Sequence, residues 1–188
     1  MILGNHDIYM KNSVDINSLI IFNDIKNVEI ISNVKQYDIN GKISLFVPWL
    51  GDTSSYENES IDMMFGHFDV SHKYIIKAYI EDNSKKYITK ELENTVNNEN
   101  LLKTASDINN TAGNYIGDFV DVVKQNGLIF SGHIHGRREF LAKKRNFILV
   151  GDPYQQNLGE IDNTCGFYIL NEDSSYKFYE ITSAPKHI

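Results

Sequence analysis

Short apolar runs separated by polar turns recur along the chain, and this pattern predicts a protein built mainly from strands. Helical spacing of apolar positions occurs at residues 18–24 and 117–125, and Asn126-Gly127 resembles a helix C-cap after the second of these. Because helices fall between some of the strands, the predicted fold class is α/β or α+β. The predicted strands are a stub at Ile2 and Leu3 and residues 28–33, 43–49, 61–65, 128–131, 147–150, 166–170 and 176–181.

One long stretch departs from this pattern. Residues 71–114 are rich in Asn, Lys and Glu, and only residues 74–80 among them form a strand-like run. We expect one or two polar helices there, with a loop near residues 94–100. The chain is therefore expected to be a single domain over 1–188 with a polar helical or loop insertion at 81–114.

The composition is that of a soluble globular domain, with 41% hydrophobic and 23% charged residues in a chain of 188. It excludes a wholly disordered chain, collagen and a disulfide scaffold. No apolar run approaches the roughly 18 residues of a membrane span, and the N-terminus has no signal-peptide pattern, so no membrane association is expected. Cys165 is the single cysteine. It cannot form an internal disulfide, which favours a reducing cytoplasm.

The net charge of −7 changes the functional expectation. A protein that grips nucleic-acid phosphates by electrostatics alone is usually basic. Nucleic-acid binding is therefore expected only if metal ions or a partner supply the positive charge.

Three predicted strands end in glycine followed at once by side chains of the metal-ligand type. Glycine at such a point allows a tight turn and lets an ion approach the backbone, and strand ends are where open sheets place their sites. Taken singly, each motif has an ordinary explanation, namely a loop histidine or an Asn/Asp-rich turn. Together they predict a metal site. The motifs are Gly4-Asn5-His6-Asp7, Gly66-His67 and Gly132-His133-Ile134-His135-Gly136.

In this order the motifs resemble those of the calcineurin-like metallophosphoesterases, and the resemblance implies part of a two-sheet αββα sandwich. Residues 151–160, Gly-Asp-Pro-Tyr-Gln-Gln-Asn-Leu-Gly-Glu, and 166–170, Gly-Phe-Tyr-Ile-Leu, are similar to the SbcD-type DNA-repair nucleases of that family. Val47-Pro48-Trp49 and residues 65–68 resemble the tailed-phage recombination endonuclease subunits. Asp152 is a departure, because the family usually has Ser or Thr there.

The resemblance implies a role for each motif residue. The family binds two divalent metal ions, and Mn²⁺ is the expected metal. Asn5, His67 and His133 match the ligands of one ion, and His135 matches a ligand of the other. The remaining two are catalytic: His6 matches the histidine that protonates the leaving oxygen, and Asp7 matches the residue that orients or charges it.

The first two family motifs, Asp-x-His and Gly-Asp-x-x-Asp, are absent, since the chain begins three residues before the third. Asp118 and Asp52 are weaker substitutes for the bridging aspartate, with a helix start and a loop carboxylate as their ordinary explanations. We therefore expect the C-terminal part of a catalytic domain, which alone binds at most one ion, weakly, and shows little or no Mn²⁺-dependent cleavage of DNA. A missing N-terminal segment, supplied in cis or in trans, is expected to restore cleavage.

Four residues are candidates for substrate binding: Arg137, Arg138, Tyr154 and Gln155. The alternative explanations are a solvated hairpin for the arginines and loop packing for the other two. The implied partners are DNA and an SbcC-type ATPase subunit, in the cytoplasm of a host if a phage encodes the chain. The implied function is metal-dependent phosphodiester hydrolysis by a recombination or repair nuclease. Two alternatives are another phosphoesterase of the superfamily, acting on nucleotides or phosphoproteins, and an inactive remnant that docks to a partner.

Overall fold

The computed structural model describes residues 1–10, 12–68, 119–161 and 163–183. Strands predominate, and the helical segments in these ranges are short 3₁₀ helices at Ser18–Phe22, Ser54–Tyr56, Val120–Val122 and Leu158–Glu160. The strands are β1 (Ile8–Met10), β2 (Ser13–Asn17), β3 (Lys35–Ile39), β4 (Lys42–Val47), β5 (Ile61–Gly66), β6 (Val123–Ser131), β7 (Arg138–Ala142), β8 (Arg145–Leu149), β9 (Gly166–Leu170) and β10 (Tyr176–Glu180).

A mixed sheet of six strands, in the order β3-β4-β5-β6-β8-β7, organises the molecule. Its four central strands, β4, β5, β6 and β8, run parallel, and the two edge strands pair with them antiparallel. Parallel strands are usually covered on both faces, so their sequences are nearly continuous apolar runs. That is why the sequence predicted β5 and the C-terminal half of β6 well.

The core lies on both faces of this sheet, because successive side chains of a strand point to opposite sides. On β6, for example, Ile129 belongs to one buried cluster and its neighbours Leu128 and Phe130 to the other. The first cluster also contains Leu45, Val47, Met64, Phe147 and Leu149, and the second also contains Met63 and Ile148.

A separate antiparallel hairpin of β9 and β10 covers part of the second face. Its Tyr168 and Tyr176 rings pack edge-on against Phe130, with centroids 6.1 and 5.6 Å away. Both tyrosine hydroxyl groups donate hydrogen bonds to the Glu139 carboxylate on β7, at 2.7 and 3.3 Å. Apolar rings and polar tips therefore fix the hairpin to the sheet.

Two sequence-based elements differ from the structure. The helix predicted at 117–125 is wrong in its C-terminal part, because residues 119–122 are helical but β6 begins at Val123 and the Asn126-Gly127 pair lies inside that strand. Asn126 does adopt the left-handed conformation expected of a cap, with φ 63°, but it does so where the register between β5 and β6 shifts. Residues 28–33 form only a single parallel bridge, between Ile2 and Ile31.

In its described residues the chain is thus of the mixed α/β class, with strands far outweighing helices. The predicted insertion at 81–114 and the strand-like run at 74–80 lie outside the described residues. Among the helices of the described ranges, none combines the length and the apolar character needed to cross a bilayer.

Candidate metal centre

The carboxyl ends of the four parallel strands lie along one edge of the sheet. Trp49 follows β4, His67 follows β5, His133 follows β6 and Asp152 follows β8. Backbone hydrogen bonds join these strand ends in sequence, from Gly132 N to the Gly66 carbonyl at 3.0 Å and from Val150 N to the Ser131 carbonyl at 2.9 Å. This is the edge at which parallel sheets place their ligand sites.

Three of the predicted ligands meet there. His67 Nε2 lies 2.9 Å from Asn5 Oδ1, and His133 Nδ1 lies 3.3 Å from the same oxygen. The two imidazole rings are 5.1 Å apart between centroids. Ligand atoms about 2.0–2.2 Å from one ion lie about 3 Å apart, so these spacings fit a shared cation as well as hydrogen bonds. Asn5, His67 and His133 are called the Asn5 group below.

The N-terminal segment reaches this group through the end of β4. Leu3 N donates to the Ile31 carbonyl at 3.2 Å, and Trp49 N donates to the Leu3 carbonyl at 2.9 Å. Glycine is needed beside His67, since a Cβ on Gly4 would lie 2.9 Å from His67 Cε1. A Cβ on Gly132 would lie 3.0 Å from His67 Nδ1. The two glycines of the motifs therefore make room for one histidine ring.

Local environment keeps His67 neutral. Trp49 is buried, and its ring lies 6.0 Å from the His67 ring and 5.1 Å from the His133 ring. Burial, with a smaller contribution from His133, lowers the pKa of His67 to about 4. An unprotonated imidazole at neutral pH is the form that binds a metal.

His133 is held in an unusual backbone conformation, with φ 76°. This is the left-handed region, which costs a non-glycine residue free energy and which His, Asn and Asp tolerate better than most. Strain of this kind is frequent at functional sites.

His135 belongs to a second group, two residues further along the same loop. Its Nδ1 donates to Glu160 Oε1 at 2.6 Å and lies 3.1 Å from Asp152 Oδ2. The ligand-type atoms of His135, Asp152 and Glu160 all lie within 4.8 Å of one another. These three residues are called the His135 cluster below.

The ionisable groups of the His135 cluster have shifted pKa values. The hydrogen bond to Glu160, reinforced by the charge of Asp152, raises the pKa of His135. The same bond, donated by His135, lowers the pKa of Glu160. Burial raises the pKa of the Asp152 carboxyl. The cluster therefore holds two acidic groups around one ring.

The two predicted catalytic residues occupy the turn after Leu3. His6 is exposed and follows Asn5 directly in the chain, so its backbone lies beside the Asn5 group. Asp7 accepts hydrogen bonds from Gly4 N at 2.7 Å and from Ser18 Oγ at 3.3 Å. Those bonds close the turn that presents Asn5; the orienting role of Asp7 toward His6 stays a prediction.

The four substrate-binding candidates differ in the exposure of their side chains and in the contacts that these side chains already make. Arg137 donates to Glu139 at 2.9 Å and lies over the Phe178 ring at 4.3 Å, so it braces the β9–β10 hairpin. Gln155 is buried and donates to the Ile161 carbonyl at 2.7 Å, which holds its own loop. Tyr154 is exposed and Arg138 is partly exposed, so both are open to a substrate.

Neither substitute for the bridging aspartate gains support. Both carboxylate oxygens of Asp52 accept hydrogen bonds from Ser54, at 2.9 Å each. Asp118 lies outside the described residues. Asp52 also lines a cleft of about 500 Å³ that includes Asn12, Asp15 and Tyr56 but none of the predicted site residues. This cleft is polar and open, and no group of metal-ligating side chains in it is apparent from its lining.

Sequence reasoning missed Trp49 as a wall of the Asn5 group and Asp152 and Glu160 as neighbours of His135. Asp152 could have been found, because it follows a predicted strand and a glycine, as the other motif residues do. Glu160 carries no comparable signal, since only the folding of its loop brings it to His135.

Comparisons of the chain with protein-family models, with curated proteins and with solved structures give no match. The resemblance to the metallophosphoesterases therefore rests on the motifs alone and stays a prediction.

Proposed function

We propose that this chain carries the metal-binding part of a metal-dependent phosphodiesterase that cleaves DNA. The observation that supports it most is the convergence of His67 Nε2 and His133 Nδ1 on Asn5 Oδ1, at 2.9 and 3.3 Å. Two neutral imidazoles and an amide oxygen form a donor set that suits Mn²⁺, Fe²⁺ or Zn²⁺ better than Ca²⁺. A partial αββα sandwich is the finer fold that this proposal implies.

Four residues of the motifs, and Arg138 beside them, have a part in the proposed reaction. Asn5, His67 and His133 would hold a divalent ion, which polarises the phosphodiester and offsets charge that develops during the displacement. His6, exposed beside this group, donates a proton to the leaving oxygen. Arg138, the first residue of β7, would contact a phosphate without reading the bases.

The choice of DNA as substrate rests on the resemblance of residues 151–160 and 166–170 to the SbcD-type nucleases. An SbcC-type ATPase as partner, two Mn²⁺ ions in the complete family site and a cytoplasmic location rest on the same resemblance and stay predictions. A small nucleotide or a phosphoprotein is the alternative substrate.

A single-turnover assay with protein in excess tests the proposal. The substrates are labelled linear duplex DNA, a thymidine phosphodiester and p-nitrophenyl phosphate, each with and without Mn²⁺. We expect slow cleavage of DNA that requires Mn²⁺ and falls by about 100-fold in His67→Gln, because a direct ligand is lost. In His6→Ala the rate should fall while the Mn²⁺ dependence stays unchanged.

The matched control is Asp24→Asn, an exposed residue on the turn after the Ser18–Phe22 helix. It should cleave DNA like the wild type. Hydrolysis of the monoester without cleavage of DNA would favour the alternative substrate class. Cleavage that does not require Mn²⁺, or that is equally fast in His67→Gln and in the wild type, would contradict the proposed activity.

A further inference from the structure

The His135 cluster is built by three separate segments that meet at the sheet edge. His135 lies in the loop after β6, Asp152 follows β8, and Glu160 ends the Leu158–Glu160 3₁₀ helix. Backbone bonds tie the first two segments together, because Asp152 N donates to the His135 carbonyl at 3.1 Å. The arrangement therefore does not depend on attraction between the charged side chains.

Glu160 is fixed by its own loop. Its Oε2 accepts from Gln156 N at 2.6 Å, and its Oε1 accepts from Asn157 Nδ2 at 2.5 Å. The side chain is buried, with 8% of its surface exposed. A carboxylate held by neutral donors in this way keeps its negative charge and its position when its partner changes.

Asp152 supplies the second, independent observation. Its Oδ2 is buried and, within the part of the chain that the structure describes, has no hydrogen-bond partner, although it lies 3.1 Å from His135 Nδ1. A buried carboxylate oxygen without a donor is costly, and such atoms in folded proteins usually have a partner. Asp152 Oδ2 and Glu160 Oε1 therefore both face His135 Nδ1.

Two explanations of the cluster, a protonated His135 and a bound divalent cation, differ in the net charge that they leave. If His135 is simply protonated, one positive charge faces two carboxylates, and a buried negative charge remains. A divalent cation with a neutral imidazole and two carboxylates gives a net charge of zero and a partner for the orphaned oxygen. One nitrogen and two carboxylate oxygens also match the ligand types of Mn²⁺, Fe²⁺ and Zn²⁺.

We infer that His135, Asp152 and Glu160 form a divalent-cation site separate from the Asn5 group, with all three protein ligands supplied by this chain. Three protein ligands leave coordination positions open to water or to a phosphate oxygen. The inference rests on the distances and charges of these side chains and does not require the proposed function. Unlike the Asn5 group, whose three side chains are neutral ligands, this site has two anionic ligands.

Titration of the metal-free full chain with MnCl₂, followed by the loss of the free Mn²⁺ EPR signal, tests the site. Asp152→Asn and Glu160→Gln keep the shape of the side chains and remove one charge each. We expect each variant to raise the Kd of one bound Mn²⁺ by at least about tenfold. Asp24→Asn, with the same change of charge on an exposed turn, should leave that Kd within about twofold.

Asp152→Asn guards against an unfolding artefact, because the replaced Oδ2 accepts no hydrogen bond from the described residues. Far-UV circular dichroism and a thermal melt confirm the fold of each variant. A Kd unchanged in both cluster variants would overturn the inference. If His67→Gln abolishes binding and the cluster variants do not, the site proposed here fails and the Asn5 group stands. The opposite pattern would retain the cluster site and remove the metal role of the Asn5 group.

Discussion

His67 is the residue on which the Asn5 group depends most. It contacts Asn5, packs near Trp49 and His133, and fills the space left by two glycines. Burial and the neighbouring His133 favour the neutral ring. The burial that lowers the pKa of His67 therefore links the stability of the fold to pH.

The first prediction at this scale concerns acid destabilisation. The pKa of His67 is about 4 in the folded chain and about 6.5 when exposed. The unfolded chain therefore takes up a proton that the folded chain refuses, and stability falls as pH drops from about 6.5 to about 4. The loss should amount to about 3 kcal/mol. Urea unfolding in EDTA at pH 7.5 and pH 4.5 measures it.

His67→Gln is the comparison, since it removes this titration and keeps a polar side chain of similar reach. Its stability should depend less steeply on pH over the same window. Equal pH dependence in the two proteins would show that His67 titrates normally in the folded state.

Among single residues, the sequence was informative where a side chain of the metal-ligand type follows a recognisable strand end. Asn5, His67 and His133 could be predicted because each follows a glycine at the end of an apolar strand. The pairing of His135 with Glu160 could not be predicted, because 25 residues of chain separate them and no local pattern encodes the contact.

Among the elements, the central parallel strands were predictable because both of their faces are buried. β3 and β7 were not, because these edge strands carry many polar residues and lack a continuous apolar run. The β7–β8 turn uses Lys143 and Lys144 at φ 46° and 66°, in place of the Asn-Gly that marks such turns in sequences. The Asn126-Gly127 pair was wrongly interpreted as a helix C-cap. A single left-handed residue can end a helix or mark an irregularity in a strand, and here it does the second.

The attachment of the β9–β10 hairpin gives a prediction at the element scale. Phe130 is 6% exposed and contacts Tyr168 and Tyr176 from the hairpin and Phe65 from β5. Phe130→Ala should lower the free energy of unfolding by about 3–5 kcal/mol, because it leaves a cavity between hairpin and sheet. Urea denaturation measures the loss, and near-UV circular dichroism reports the freed tyrosines.

Tyr179→Ala is the control on the same hairpin, because Tyr179 is 39% exposed and stacks only on its neighbour Phe167 among the described rings. Its cost should stay below about 1 kcal/mol. Equal costs for the two variants would mean that the hairpin is not anchored through Phe130.

Over the whole molecule, 25 acidic residues against 18 basic ones give a surface that repels a phosphate backbone. Binding of the proposed DNA substrate would therefore have to come from a restricted region. The carboxyl edge of the sheet gathers the Asn5 group, the His135 cluster and Arg138, and cations bound there would reverse the local charge. The proposed function requires that this edge of the sheet binds a metal.

Histidine-selective ¹⁵N NMR during titration with diamagnetic Zn²⁺ tests that claim at the level of single atoms. The resonances are assigned with His67→Gln and His133→Gln. We expect the signals of His67 Nε2 and His133 Nδ1 to shift together in one stoichiometric step, because both nitrogens exchange a proton for the same ion. If Zn²⁺ binds while both nitrogens keep their protons and their shifts, the Asn5 group is a hydrogen-bonded cluster and the central claim is wrong.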